Sequence, residues 1–133
     1  MKNRLGRLII LVRDYEKSAA FYEEIFEFER IFDMTTDKGQ RFLQLGDKEN
    51  NVGVWLLKAE GQEQEARIGN QTAGQPTLVI YTDDLSKIFH RLKSLDYNIK
   101  LAPSGEEEYN FLHCFDYDGN EIVAVELKED PPN

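Results

Sequence analysis

The chain has 133 residues, with 16 basic and 25 acidic side chains, a formal net charge of −9 and one cysteine. This length corresponds to one domain at roughly 150 residues each, large enough to bury a core without a disulfide or structural metal. The charge argues against a nucleic-acid partner, because phosphate binding needs a cationic field; no apolar run approaches the roughly 18 residues of a membrane span, and a lone cysteine without a secretory leader points to a cytoplasmic setting.

Residues 7–13 (RLIILVR) are apolar and β-branched, which predicts a strand. Asp14 then offers an N-cap, and residues 16–28 place Ala19, Tyr22, Ile25 and Phe26 on one helix face. Three short strands follow at 29–35, 41–45 and 52–57, with turns at Asp37-Lys38-Gly39 and at 46–51. Residues 59–75 lack apolar periodicity and read as a solvated connector or flap; the Asn70-Gln71-Thr72 sequon within them is chance in a cytoplasmic protein. After Pro76 comes a strand at 77–82, and Asp83-Asp84 caps a helix with Leu85, Ile88, Phe89, Leu92 and Leu95 on one face. Strands at 98–102, 109–115 and 121–127 complete the pattern, the last two joined by the turn Asp116-Tyr117-Asp118-Gly119-Asn120, and 129–133 form a tail.

The order repeats. Displaced by 70 positions, Leu8, Ile10, Asp14 and Lys17 meet Leu78, Ile80, Asp84 and Lys87; displaced by 69, Phe42-Leu43 meets Phe111-Leu112 and Asp47 meets Asp116. The chain is a degenerate duplication of a strand-helix-strand-strand-strand module, with module 1 at 5–58, a connector at 59–75 and module 2 at 76–128. With VRDYEKSAAFY (12–22) opening the first module and FDYDGNEIVAVEL (115–127) closing the second, it resembles the vicinal oxygen chelate superfamily. That superfamily includes glyoxalase I-type lyases, bleomycin- and fosfomycin-resistance proteins and extradiol dioxygenases. The resemblance implies an α+β fold of two tandem βαβββ modules, whose curled mixed sheet holds a metal or a ligand on its concave side. It does not settle the chemistry.

Strand alternation assigns faces. Leu8, Ile10 and Val12 go to the helix side, leaving Arg7, Ile9 and Leu11 opposite, with Thr77, Val79 and Tyr81 as repeat mates. Likewise Leu43, Leu45, Val52 and Val54 face the helix, so Phe42, Gln44, Gly53 and Trp55 turn inward, matched by Phe111, His113, Val123 and Val125, with Glu121 in line. The expected ligand-binding set is therefore Arg7, Phe42, Gln44, Trp55, Thr77, Tyr81, Phe111, His113 and Glu121.

The resemblance also implies four metal-ligand positions, which fall on Arg7, Gly53, Thr77 and Val123. None is a good ligand, since Arg carries only donors, Gly and Val have no ligand atom, and a Thr hydroxyl is weak. No cofactor is expected and a divalent metal is not. Of the two histidines, His90 lies beside the apolar stripe of the second helix, whereas His113 and Glu121 are the catalytic candidates, able to hydrogen-bond a ligand or exchange a proton. Cys114 alternates with His113 and faces the helix. The Glu106-Glu107-Glu108 run reads as a solvated stretch, or as the mouth of a site for a cationic ligand. The 116–120 turn lacks EF-hand spacing. Arg7 has two open roles, holding an anionic ligand group or pairing with Glu121.

The primary functional expectation is a metal-free binding protein of the bleomycin-resistance type, sequestering or sensing a small aromatic or cationic compound and acting as a homodimer. The alternative is a glyoxalase or lyase-type enzyme with a non-standard or absent metal site.

Overall fold

A computed structural model describes residues 1–105 and 109–128; the acidic run at 106–108 and the tail at 129–133 lie outside the described residues. The backbone forms two compact units, one of residues 1–68 and one beginning at Gly69. The first contains β1 (Arg7–Val12), α1 (Tyr15–Phe26), β2 (Glu29–Thr35), β3 (Arg41–Asp47) and β4 (Val52–Lys58), followed by a short helix, α2 (Gly61–Arg67). The second contains β5 (Leu78–Thr82), α3 (Leu85–Ser94), β6 (Ile99–Gly105), β7 (Tyr109–Phe115) and β8 (Glu121–Leu127). Each unit is a four-stranded mixed sheet, β1-β4-β3-β2 in one and β5-β8-β7-β6 in the other. First and last strands run parallel, and the remaining neighbours run antiparallel. These are two βαβββ modules, and the α+β expectation holds.

The repeat read in the sequence is physical at the helix starts. Asp14 Oδ1 accepts from Lys17 N at 3.0 Å, and Asp84 Oδ1 accepts from Lys87 N at 3.0 Å. Each aspartate thus satisfies one of the orphan N–H groups of a helix's first turn. α1 packs on β3 and β4, and α3 on β6, β7 and β8. Ile10, Val12, Leu43, Leu45, Val54 and Leu56 are buried in the first unit with Ala19, Phe21, Tyr22 and Ile25 of the helix. Leu112, Cys114, Ile122 and Ala124 are buried in the second with Leu85, Ile88 and Leu92 of α3.

Four details depart from expectation. Leu8, assigned to the helix side, is 43% exposed, because α1 covers the middle of the sheet and not the start of its edge strand. Leu95 is 46% exposed, since α3 ends at Ser94 and the stripe runs out there. Residues 59–75 are not all connector: α2 forms without a buried residue of its own, anchored by buried Ala59 and Ile68 on either side. A helix with no packed face writes no apolar period into the sequence. Finally, β6 extends to Gly105 through Pro103, which an edge strand tolerates because its outer N–H positions need no partner.

An ion-pair network ties α1 to β2 and β3. Arg30 meets Glu16 at 2.7 Å and Asp33 at 3.1 Å, and Arg41 meets Glu16 at 2.7 Å and Asp33 at 2.9 Å. Hydrogen bonds from Arg30 and then Arg41 lower the Glu16 carboxyl from 4.5 to about 2. A lowered folded value favours the ionised form, so this stabilisation is present above pH 4.5 and is lost as pH falls towards 2. Glu16 is 59% exposed, so screening keeps the contribution below about 1 kcal/mol. Urea denaturation of Glu16→Gln should show that small loss at neutral pH and a clearly smaller one near pH 2; equal losses at both would contradict the assignment.

Candidate functional site

With one face of each sheet covered by a helix, alternation sends the other side chains to a helix-free face. In the first unit this set includes Arg7, Ile9, Phe42, Gln44, Gly53 and Trp55. The register aligns them across three strands: Ile9 and Gln44 both pair with Trp55, and Arg7 pairs with Gly53. Phe42 and Trp55 have ring centroids 5.7 Å apart in a tilted arrangement. The Trp55 indole Nε1 is buried and has no hydrogen-bond partner among the described residues.

Most Arg7 donors are engaged within the first unit. Its Nε donates to Gln44 Oε1 at 2.7 Å, Nη1 to the Gly6 and Asn51 carbonyls at 2.9 and 2.8 Å, and Nη2 to Asn51 Oδ1 at 2.7 Å. The guanidinium therefore braces the turn between β3 and β4, where Asn51 sits at a left-handed φ of 54°. One of its five N–H groups is left over. Asn51 was not expected to matter; a turn asparagine tolerating positive φ was its only signal in the sequence.

Gly53, one of the positions implied for a metal ligand, is closed to any side chain. A Cβ there would collide with the Leu45 carbonyl oxygen and lie 2.8 Å from the Gly46 Cα. Gly46 and Gly53 face each other directly, so the two backbones approach at a distance that only a glycine pair allows.

The second unit carries a charged cluster on the equivalent face. Glu121 is 7% exposed, with Oε2 2.7 Å from His113 Nδ1 and Oε1 2.9 Å from Lys100 Nζ. Hydrogen bonding to His113, and next to Lys100, holds the Glu121 carboxyl below the usual carboxylate range. An ionised Glu121 fixes the proton on Nδ1, which leaves His113 Nε2 as an acceptor when the ring is neutral. Phe111 packs edge-on against His113 with centroids 5.8 Å apart. Thr77 Oγ1 lies 3.3 Å from Thr72 Oγ1, and Tyr81 stands 65% exposed. Lys100, which completes the cluster from β6, is a second residue the sequence reading missed. A register shift in that strand hides its alternation.

Strand pairing also corrects the repeat. Ile9 pairs with Trp55 whereas Val79 pairs with Val123, and Thr77 N donates to the Glu121 carbonyl at 2.8 Å. Trp55 is therefore equivalent to Val123, and Gly53 to Glu121, because three residues separate the paired Asp116 and Asn120 whereas four separate the paired Asp47 and Val52. Under the corrected matching Glu121 replaces Val123 among the implied positions and is the one good ligand type of the four, with its oxygens engaged by His113 and Lys100. Among the described residues no group of three or more His, Cys, Asp or Glu is placed to hold a metal ion. The residues present do not fit the metal centre that the resemblance implies.

The remaining candidates are accounted for locally. Asp116 Oδ1 accepts from Asp118 N and Asn120 N at 2.9 and 2.8 Å, and Oδ2 from Asn120 Nδ2 at 2.9 Å, so this carboxylate builds its own turn. Cys114 is buried, and burial followed by Asp116 pushes its thiol up to about 12, far from a nucleophile's range. His90 is exposed on α3.

The sequence profile of the Glyoxalase/Bleomycin resistance protein/Dioxygenase superfamily matches residues 4–124. Among curated proteins, the fosfomycin resistance protein FosX of Listeria innocua is 28% identical, covering 97% of this chain and 95% of its own. Among solved structures, UcmS2 aligns with a TM-score of 0.77 at 23% identity, covering 94% of this chain and 98% of its own. TnmS3, an antibiotic binding protein from Streptomyces sp. CB03234, aligns with a TM-score of 0.69 at 21% identity, covering 96% and 98% respectively.

The close approach at Gly53 makes a direct prediction. Gly53→Ala should destabilise the protein by roughly 1–3 kcal/mol through overpacking against backbone, measured by chemical denaturation. A neutral substitution would show that β3 and β4 can separate without cost.

Proposed function

Because the chain belongs to the Glyoxalase/Bleomycin resistance protein/Dioxygenase superfamily, we propose that it is a metal-free small-molecule-binding protein that sequesters or senses a planar compound. The observation that carries this reading is the helix-free face of the first unit, where Trp55 and Phe42 form an aromatic platform and a buried indole N–H lacks a partner. Ligand sites are mostly apolar with a few placed polar groups. An aromatic pair contributes about 0.5–1.5 kcal/mol beyond its buried area. The antibiotic-binding description of TnmS3 and the resistance role in the name FosX are compatible with capture of a small compound. Gly53, closed to side chains, favours a site without a metal. The same proposal takes the protein to act as a homodimer in the cytoplasm. No described helix is long and apolar enough to cross a membrane.

The His113–Glu121 pair favours a second reading, proton-transfer chemistry of the glyoxalase or lyase type. Assays with the hemithioacetal of methylglyoxal and glutathione, with and without added Zn²⁺ or Ni²⁺, should show no turnover. Turnover lost in His113→Gln would establish the enzymatic reading instead.

For the binding reading, a panel of planar compounds is screened by thermal shift and by fluorescence of Trp55, the chain's one tryptophan. A ligand present at 100 times its Kd stabilises the fold by about 2.7 kcal/mol. The expected result is a raised melting temperature with changed Trp55 emission, lost in Trp55→Ala. A panel in which no compound moves either signal would reject the proposal.

A further inference from the structure

We infer that the polar group recognised at the helix-free face of the first unit is an acceptor oxygen, so that the ligand is an aromatic compound bearing a carbonyl or carboxylate. This inference rests on the binding reading above and names its ligand class.

Three side chains on neighbouring strands carry the argument. The Trp55 indole is a donor only, and its N–H is buried and unpaired. Gln44, paired with Trp55 across β3 and β4, receives Arg7 Nε on its Oε1 at 2.7 Å. That bond fixes which way the amide points and occupies its carbonyl oxygen, while its NH₂ has no partner among the described residues. Arg7, in contact with Gln44, keeps one N–H of Nη2 and can accept nothing. The leftover groups on and beneath the aromatic pair are therefore all donors, and a ligand group that reaches them satisfies them only by bringing oxygen lone pairs. A buried donor left unmet is costly, which makes that match selective.

The local donor set runs against the overall charge. A net charge of −9 favours the approach of cations, but that long-range field governs encounter and not which group fits at contact. An ammonium group would meet Arg7 and two further donors on this face, with no free acceptor among the three side chains.

The test exploits the single tryptophan, whose indole N–H gives one resolved resonance in a heteronuclear NMR spectrum. Three matched naphthalene probes are titrated: 2-acetonaphthone, 2-naphthoate and 2-naphthylmethylamine. The ketone and the carboxylate should each bind at least about tenfold more tightly than the amine, as expected for one well-placed hydrogen bond, and should shift the indole resonance downfield. Trp55→Phe keeps an aromatic ring, so its circular dichroism should be unchanged while ketone affinity falls by about tenfold. Amine binding as tight as ketone binding, or ketone binding that leaves the indole resonance unmoved, overturns the inference. If none of the three binds while the compound screen finds other ligands, the oxygen preference fails and the binding reading stands; if the screen is also blank, both fail.

Discussion

Everything at the candidate site depends on the parallel pairing of the first and last strand in each unit, β1 with β4 and β5 with β8. Parallel neighbours cannot be joined by a tight turn and need a crossover of a dozen or more residues. Here that crossover is a helix and two further strands, which pack the helix on one face and leave the other without one. Because side chains alternate strictly along a strand, the same pairing that buries Ile10, Val12, Val54 and Leu56 sends Arg7, Ile9, Gly53 and Trp55 to the helix-free face. A one-residue slip would exchange these sets entirely.

Within that shared frame the two units have diverged at equivalent places. Gln44 and His113 correspond, as do Gly53 and Glu121, and Trp55 and Val123. The first unit has no side chain at Gly53, where backbone approaches backbone, and carries an aromatic pair and N–H donors beside it. The second has a buried carboxylate compensated by Lys100 and His113, the arrangement that burial of a charge demands. Neither collects the several anionic or imidazole ligands that a divalent cation requires. Arg7 shows how a residue at an implied ligand position can be committed elsewhere, since most of its donors hold the turn at Asn51.

Much of this architecture was legible in the sequence because it is written in local signals. The apolar runs at 7–13 and 77–82, the capping aspartates Asp14 and Asp84, and the duplication they mark gave the modules and their order. Face assignments for Phe42, Gln44, Trp55, Phe111 and His113 follow from alternation alone. What was not legible is non-local or unperiodic. The equivalence of Gly53 with Glu121 depends on a one-residue difference in turn length that a fixed repeat offset conceals. Lys100 sits in a strand whose register shifts, so its approach to Glu121 has no signature along the chain. α2 has no apolar face to announce it, and the bracing of the Asn51 turn by Arg7 connects residues 44 positions apart.

On the proposed reading, this member of the superfamily binds a small molecule through side chains and backbone packing without a metal. The most direct measurement is ligand binding by calorimetry before and after exhaustive chelation, with the metal content of the same sample determined by plasma mass spectrometry. The expected result is no stoichiometric divalent metal and an affinity unaltered by chelation or by added Mn²⁺, Zn²⁺ or Ni²⁺. One equivalent of bound metal, with ligand affinity abolished by chelation and restored by its return, would contradict it.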